Sequence, residues 1–375
     1  TDKAVKALLT AGGIDATSFN ASLLREPWEI ETKTGGPYRV FTPFWKALHA
    51  LGPSRRELAE PSATSRAAGI RSDDTQILRL LPSSPNWAAE FGEDWSPSEG
   101  GALQALARFL RGPAGTYGED RDRPDRRGTS RLSPHLALGT ISPLRVWNAA
   151  QNAVASGALS QTQGMKYLSE IAWREFAYHL LLHYPSMPAA PLRPAFNAFP
   201  WRDDERAFSA WTRGKTGVPI VDAGMRELWR TGWMHNRVRM IAASFLVKNL
   251  MIDWRKGERW FWETLVDADP ANNTASWQWV AGCGADAAPY FRIFNPVTQG
   301  EKFDPEGAYV RKFVPELAGT PAKFIHAPWT APEVAAAAGY PLPIVDPGQS
   351  RKRALAAYSG LKSSAAALEL DPEDA

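Results

Sequence analysis

Apolar residues fall into a helical rhythm from Ala102 onward, with Leu103, Leu106, Phe109 and Leu110 setting it, and hold it for most of the remaining chain. The period-two alternation of a half-buried strand is scarce there, so the pattern predicts a large, mostly α domain. Ser133-Pro134 and Ser142-Pro143 each put a hydroxyl before a proline suited to the first helical position, predicting two helix starts. The front of the chain reads differently. A helix is expected up to Thr10 with a turn at Gly12-Gly13, so residues 1–30 read as the end of an α/β unit. Gly35-Gly36-Pro37 predicts a turn, and the stretch up to Pro43 an ordered connector. From about Leu51 to Glu99, Pro, Ser and Gly become dense and periodicity fades, as a long linker packed on a surface would show. After Tyr358 an Ala- and Ser-rich, then acidic, stretch predicts a frayed tail. The divisions expected are 1–30, 31–98, 99–348 and 349–375, with no internal repeat.

At 44% hydrophobic and 22% charged residues the chain is of globular type, and no run approaches the roughly eighteen apolar residues of a membrane span. No membrane partner is therefore expected. The single cysteine, Cys283, leaves no internal disulfide or cysteine-rich zinc site and suits a reducing interior, hence the cytoplasm. A net charge of +3 neither announces nor opposes nucleic acid. Its placement says more: arginines gather from Arg121 to Arg131, mixed with Asp122 and Asp125, and again from Arg226 to Arg239. The first residues begin inside an amphipathic helical pattern with no start methionine or signal peptide, so the front of the first domain is expected to be missing.

Sixteen tryptophans are more indole than a core needs, and ten of them lie between Trp173 and Trp279. Each is either an ordinary core aromatic or a stacking surface for a flat ligand or unpaired base. Trp201, Trp254 and Trp277, if close in space, offer short steps for an electron hole. Gly128 to Pro134 supplies three hydroxyls, a guanidinium and a helix start, either a phosphate cradle or simple capping. Helical spacing puts Tyr167, Glu170, Trp173 and Arg174 on one face, as a pocket wall or as a surface ion pair beside a core indole. In Gly232 to Met240 it puts Asn236, Arg239 and Met240 on one face and Trp233 with Arg237 on a neighbouring one. Pro270 is expected to open a helix on which Asn273 and Trp277 share a face while Trp279 points elsewhere. Asp267 and Asp269 lack the neighbours of a metal cage, and His179 with His183 lacks a third ligand, so no metal is expected. No nucleophile elbow or Walker loop is present.

Tyr38 to Phe44, Gly128 to Pro134, Trp173 to Phe176, Thr231 to Met240 and Asp267 to Phe294, in that order, resemble the DNA photolyases and cryptochromes. The likeness is greatest to the class I photolyases of cyclobutane pyrimidine dimers and spans about Tyr38 to Tyr358. It implies an all-helical FAD-binding domain, preceded by a connector and the end of a truncated α/β antenna domain, with a second antenna chromophore left open. It implies a monomer acting on UV-damaged DNA through the reduced anion of FAD. By resemblance, Tyr117, Thr129, Ser130, Leu132, Ser133, Tyr167, Arg174, Trp233, Asn236, Arg239, Asp267, Asp269 and Asn273 hold the cofactor. Glu170, Trp173, Met240 and Trp279 meet the flipped-out dimer, and Arg121, Arg237 and Arg292 approach the DNA backbone. Trp277, Trp254 and Trp201, in that order outward, match the photoreduction chain. A cryptochrome photoreceptor shares fold and FAD, but Asn273 stands where plant sensors carry Asp and animal ones Cys. A (6-4) photolyase carries a histidine pair where this chain has His235-Asn236.

Overall fold

The computed structural model describes residues 2–59, 62, 69, 72–287 and 291–369, for 362–369 the backbone only. Helices dominate, and no strand occurs among the described residues. The helices that matter below are α1 (Asp2–Ala11), α2 (Phe41–Leu51), α3 (Glu99–Arg111), α4 (Pro143–Ala155), α5 (Gln161–His183), α6 (Pro219–Thr231), α7 (Asn236–Ser244), α8 (Trp254–Thr264), α9 (Pro270–Ala281) and α10 (Pro347–Glu369).

Two apolar cores hold all of these except α1, which has no buried residue. The first gathers Phe44, Leu48, Leu106, Phe109, Trp147, Leu168 and Phe176, from α2 to α5. The second gathers Trp211, Met225, Val238, Leu246, Trp254, Phe261, Trp277 and Val310. Helices α5 and α9 pack together where the cores meet, and Ala275 of α9 reaches the first core. Each has a defined start. The Ser160 hydroxyl accepts from the Gln163 N–H at 3.3 Å, and the Asp269 carboxylate from the Asn272 N–H at 2.8 Å ahead of Pro270. Gly282 ends α9 at φ 92, a conformation that costs any side chain with a Cβ. Burial runs almost all round α5, from Tyr167 and Leu168 through Ile171, Ala172 and Glu175 to His179, as befits a central helix.

Several expectations change in three dimensions. The expected connector up to Pro43 becomes helix α2, because Phe41, Phe44 and Leu48 recur at helical spacing and are buried. What precedes it is fastened to α5 by His179, whose Nδ1 donates to the Pro27 carbonyl (3.1 Å) while Nε2 accepts from the Tyr38 N–H (3.0 Å). Parts of the expected linker, residues 60–61, 63–68 and 70–71, lie outside the described residues. Its end is anchored, since the Trp95 indole N–H donates to the Thr231 carbonyl at 2.7 Å. Ser142 caps α4 by accepting from the Arg145 N–H (3.1 Å), but Ser133 already lies within the short helix Ser133–Leu138 and spends its hydroxyl elsewhere. The expected frayed tail after Tyr358 is instead helical to Glu369. Alanine is the best helix former, and Ala354 and Leu361 are buried against the body. Residues 370–375 lie outside the described residues.

Candidate active site

The segment 117–133 packs on α5, α5 packs on α9, and α9 in turn packs on α7, which brings the expected site residues into one region. Tyr117 and Tyr167 meet edge to face at 5.3 Å, both against Phe109. Burial pushes both phenols well above their ordinary pKa, so both remain neutral donors. Ser130 lies close enough to the Tyr167 hydroxyl to favour its charged form, although no hydrogen bond closes between them. Gly128 is required here, because a Cβ would stand 2.5 Å from the Asp120 carbonyl oxygen. Leu132 is buried, Thr129 and Ser130 are half-buried, and Arg131 adopts φ 53. The anticipated phosphate cradle at a helix start is therefore a loop running into one and a half turns of helix.

Arg131 fills the next layer, its guanidinium 4.5 Å from the Trp95 ring and 4.7 Å from the Trp233 ring. The Trp233 indole N–H donates to the Ser133 hydroxyl at 3.2 Å. Trp233 does not share a helix face with Arg237, as spacing suggested. Gly232 turns the chain at φ 67, and α7 starts only at Asn236, with His235 as its cap. Arg239 leaves α7 to donate to the Met234 carbonyl (2.7 Å) and to Asp267 Oδ2 (2.8 Å). Asn236 is exposed, with Met240 one turn on.

On α5, Arg174 is buried, donating to the carbonyls of Ser22 and Leu136 and lying 5.0 Å from the Tyr178 ring. The Tyr178 hydroxyl in turn donates to Asp269. Glu170 is ion-paired with Arg121, and Arg237 with Asp122. Trp173 is half-exposed and stacks on Phe41 at 3.7 Å, 8° from parallel. Asn273 and Trp277 do share a face of α9. The Asn273 amide donates to the Glu258 carbonyl (2.9 Å) and carboxylate (3.1 Å) on α8. Trp279 donates to the Asp286 carbonyl at 3.2 Å, and Arg292 is exposed.

Trp277 and Trp254 are buried in the second core, and Trp201 packs at its rim. Gly257, one turn after Trp254 on α8, makes room for the Trp277 ring, whose Cη2 would stand 2.2 Å from a Cβ there. The N–H of Arg202 donates to the Met251 carbonyl at 2.7 Å, holding the Trp201 segment beside the approach to α8.

Four groups at the site went unassigned in the sequence. Tyr178 was within reach, one helical turn beyond Arg174. Asp122 adjoins Arg121. Trp95 and Glu258 come from segments whose proximity no spacing reveals.

The donor set fits a dinucleotide such as FAD on an observation of its own. The Tyr167 hydroxyl, Asp267 Oδ1, Arg131 Nε and His235 Nε2 are buried without a hydrogen-bond partner among the described residues. Orphaned polar atoms of this kind cost about 1–3 kcal/mol each unless a ligand or water meets them. A guanidinium, one phenol hydroxyl, an imidazole nitrogen and a lone carboxylate oxygen match phosphates and ribose or ribityl hydroxyls. Among the described residues no cluster of His, Cys, Asp and Glu could hold a metal ion, and no helix is long and apolar enough to cross a membrane.

A family model of the FAD binding domain of DNA photolyase matches residues 167–360, and one of DNA photolyase matches residues 1–63. The deoxyribodipyrimidine photo-lyase of Agrobacterium fabrum is 52% identical over 375 residues, covering 97% of this chain and 77% of the relative. That of Escherichia coli is 42% identical over 348 residues, covering 92% and 72%. The crystal structure of a bacterial class III photolyase from Agrobacterium tumefaciens, 52% identical, matches with a TM-score of 0.88 over 96% of this chain and 76% of that one. That neighbour is described as class III, whereas the motifs pointed most closely to class I. On the family models and on identity sustained along nearly the whole chain, the protein belongs to the DNA photolyase family.

Proposed function

We propose that the protein repairs cyclobutane pyrimidine dimers in DNA by light-driven electron transfer, with FAD held between the 117–133 segment, α5, α7 and α9. The observation that carries this reading is the set of unpartnered buried polar atoms on Arg131, Tyr167, His235 and Asp267, the last three within the residues 167–360 that match the FAD binding domain. FAD, when bound and reduced, supplies the light-driven electron that splits the cyclobutane ring. Tyr117, Thr129, Ser130, Leu132 and Ser133 hold its phosphate side. Tyr167, Arg174, Trp233, Asn236 and Arg239 line the pocket, while Asp267 and Asp269 accept from its hydroxyls. Asn273, held by Glu258, orients the flavin.

The protein's remaining work is recognition. A dimer must leave the base stack to reach a buried site, as enzymes acting on bases require. Glu170 hydrogen-bonds it, and Trp173, Met240 and Trp279 line its path. Arg121, Arg237 and Arg292 meet backbone phosphates, giving salt-dependent affinity with little sequence preference. Trp277, Trp254 and Trp201 pass the replacement electron inward from the surface. Asn273 and the His235-Asn236 pair support dimer repair over a photoreceptor or a (6-4) enzyme. The single cysteine, free and buried, suits a reducing compartment such as the cytoplasm. The test is loss of thymine dimers from an oligonucleotide under blue light, using chemically reduced protein. Loss in light but not in darkness is expected, and equal amounts in both would refute the reading.

A further inference from the structure

Two arginines expected to meet DNA phosphates are already committed inside the protein. The Arg121 guanidinium is paired with Glu170, the carboxylate placed to hydrogen-bond the dimer. Its Nε also lies 3.8 Å from Asp122 Oδ1. The other oxygen of Asp122 holds Arg237 Nη2 at 2.8 Å. Arg237 rests on the Phe303 ring, 4.4 Å away, and its buried Nε has no hydrogen-bond partner among the described residues. Arg121 lies 5.5 Å from the Tyr117 ring, and Lys166 reaches Glu170 only at 3.9 Å. Two cations and two anions thus form one chain, in the order Arg237, Asp122, Arg121, Glu170.

We propose that Asp122 is a specificity-determining residue that couples phosphate capture by Arg237 to the unmasking of Glu170. This rests on the repair reading above. A DNA phosphate that draws Arg237 away leaves Asp122 with one cation in reach, Arg121. The shift of Arg121 towards Asp122 frees Glu170 to accept a hydrogen bond from the flipped dimer. An intact duplex offers phosphates but no extruded base, so a freed Glu170 would stay half-buried with only Lys166 in reach, 3.9 Å away, a poorer state for a carboxylate than its close pair with Arg121. Its pairing with Arg121 then persists. Asp122 in this way turns a contact common to all DNA into one that stabilises binding only where a lesion completes the exchange. A static anchor would instead support every DNA alike.

The experiment is equilibrium binding in darkness by the FAD-loaded protein. Asp122→Asn, Asp122→Glu, Glu170→Gln and the Asp122→Asn/Glu170→Gln double variant are compared on thymine-dimer and undamaged oligonucleotides of one sequence, over a range of salt. Asp122→Asn should lower the preference for the dimer roughly fivefold, the scale of one coupled charge pair. Its binding to undamaged DNA should hold or strengthen, because a negative charge has left a phosphate-facing surface. Asp122→Glu should restore the preference. In the Glu170→Gln background Asp122→Asn should change the preference no further. Flavin absorbance checks folding, and Asp122→Ser replaces the Asn variant if that variant loses its flavin. An undiminished preference in Asp122→Asn, or the same loss with and without Glu170, would overturn the relay alone. No preference in the parent protein would instead remove the repair reading on which the relay stands.

Discussion

His179 spends both ring nitrogens on backbone, one as donor to Pro27 and one as acceptor from Tyr38, so it is useful only while neutral. Burial lowers its pKa from 6.5 to about 4, and that of His235 likewise to about 4. A depressed folded pKa contributes stability that is complete above pH 6.5 and lost as pH falls towards 4. Glu175 opposes them: burial raises it from 4.5 to about 7, so its contribution is complete below 4.5 and lost as pH rises through 7. The melting midpoint of His179→Gln, which keeps an acceptor and a donor, should therefore fall less than the parent's as pH drops from 6.5 towards 4. Glu258 acts through Asn273, so Glu258→Ala should lower the flavin-to-protein absorbance ratio. That Asn273 shares a face with Trp277 was legible, because i, i+4 spacing on a helix opened by Pro270 leaves little freedom. Glu258 was not, because a partner on a different helix leaves no trace in local spacing. Trp233 misled for a related reason: the helical count from Trp233 to Arg237 ran across His235, the non-helical cap before α7.

Helices carry most of what spacing can reveal. The helical spacing of α5 and α9 was readable because capping residues fix where both helices start. Helix α2 was obscured by the Gly-Pro turn before it, and α10 by a composition that resembles a tail until Leu361 meets the core. Helices α8 and α9 fit closely at Gly257. Gly257→Ala would drive a methyl into the Trp277 ring and should destabilise the protein by about 1–3 kcal/mol in urea unfolding. The same substitution should displace Trp277 and slow photoreduction, a linkage that follows from one shared contact.

Across the molecule, Trp277, Trp254 and Trp201 run from the second core towards its rim, while the site's hydrogen-bonding groups lie where both cores meet. Trp277→Phe is expected to slow light-driven reduction of the cofactor while leaving repair by chemically pre-reduced protein largely intact. Equal loss in both assays would reject the chain. The meeting of the cores has a further consequence, in the thermodynamics of assembly. A ligand that touches the 117–133 segment and α5 on one side, and α7 and α9 on the other, acts as a weld between two cooperative units. By mass action, a cofactor at a hundred times its dissociation constant adds about 2.7 kcal/mol to the assembled state. The flavin-free chain should therefore melt in two steps and the loaded one in a single, later step, with release of flavin marking the moment the seam opens.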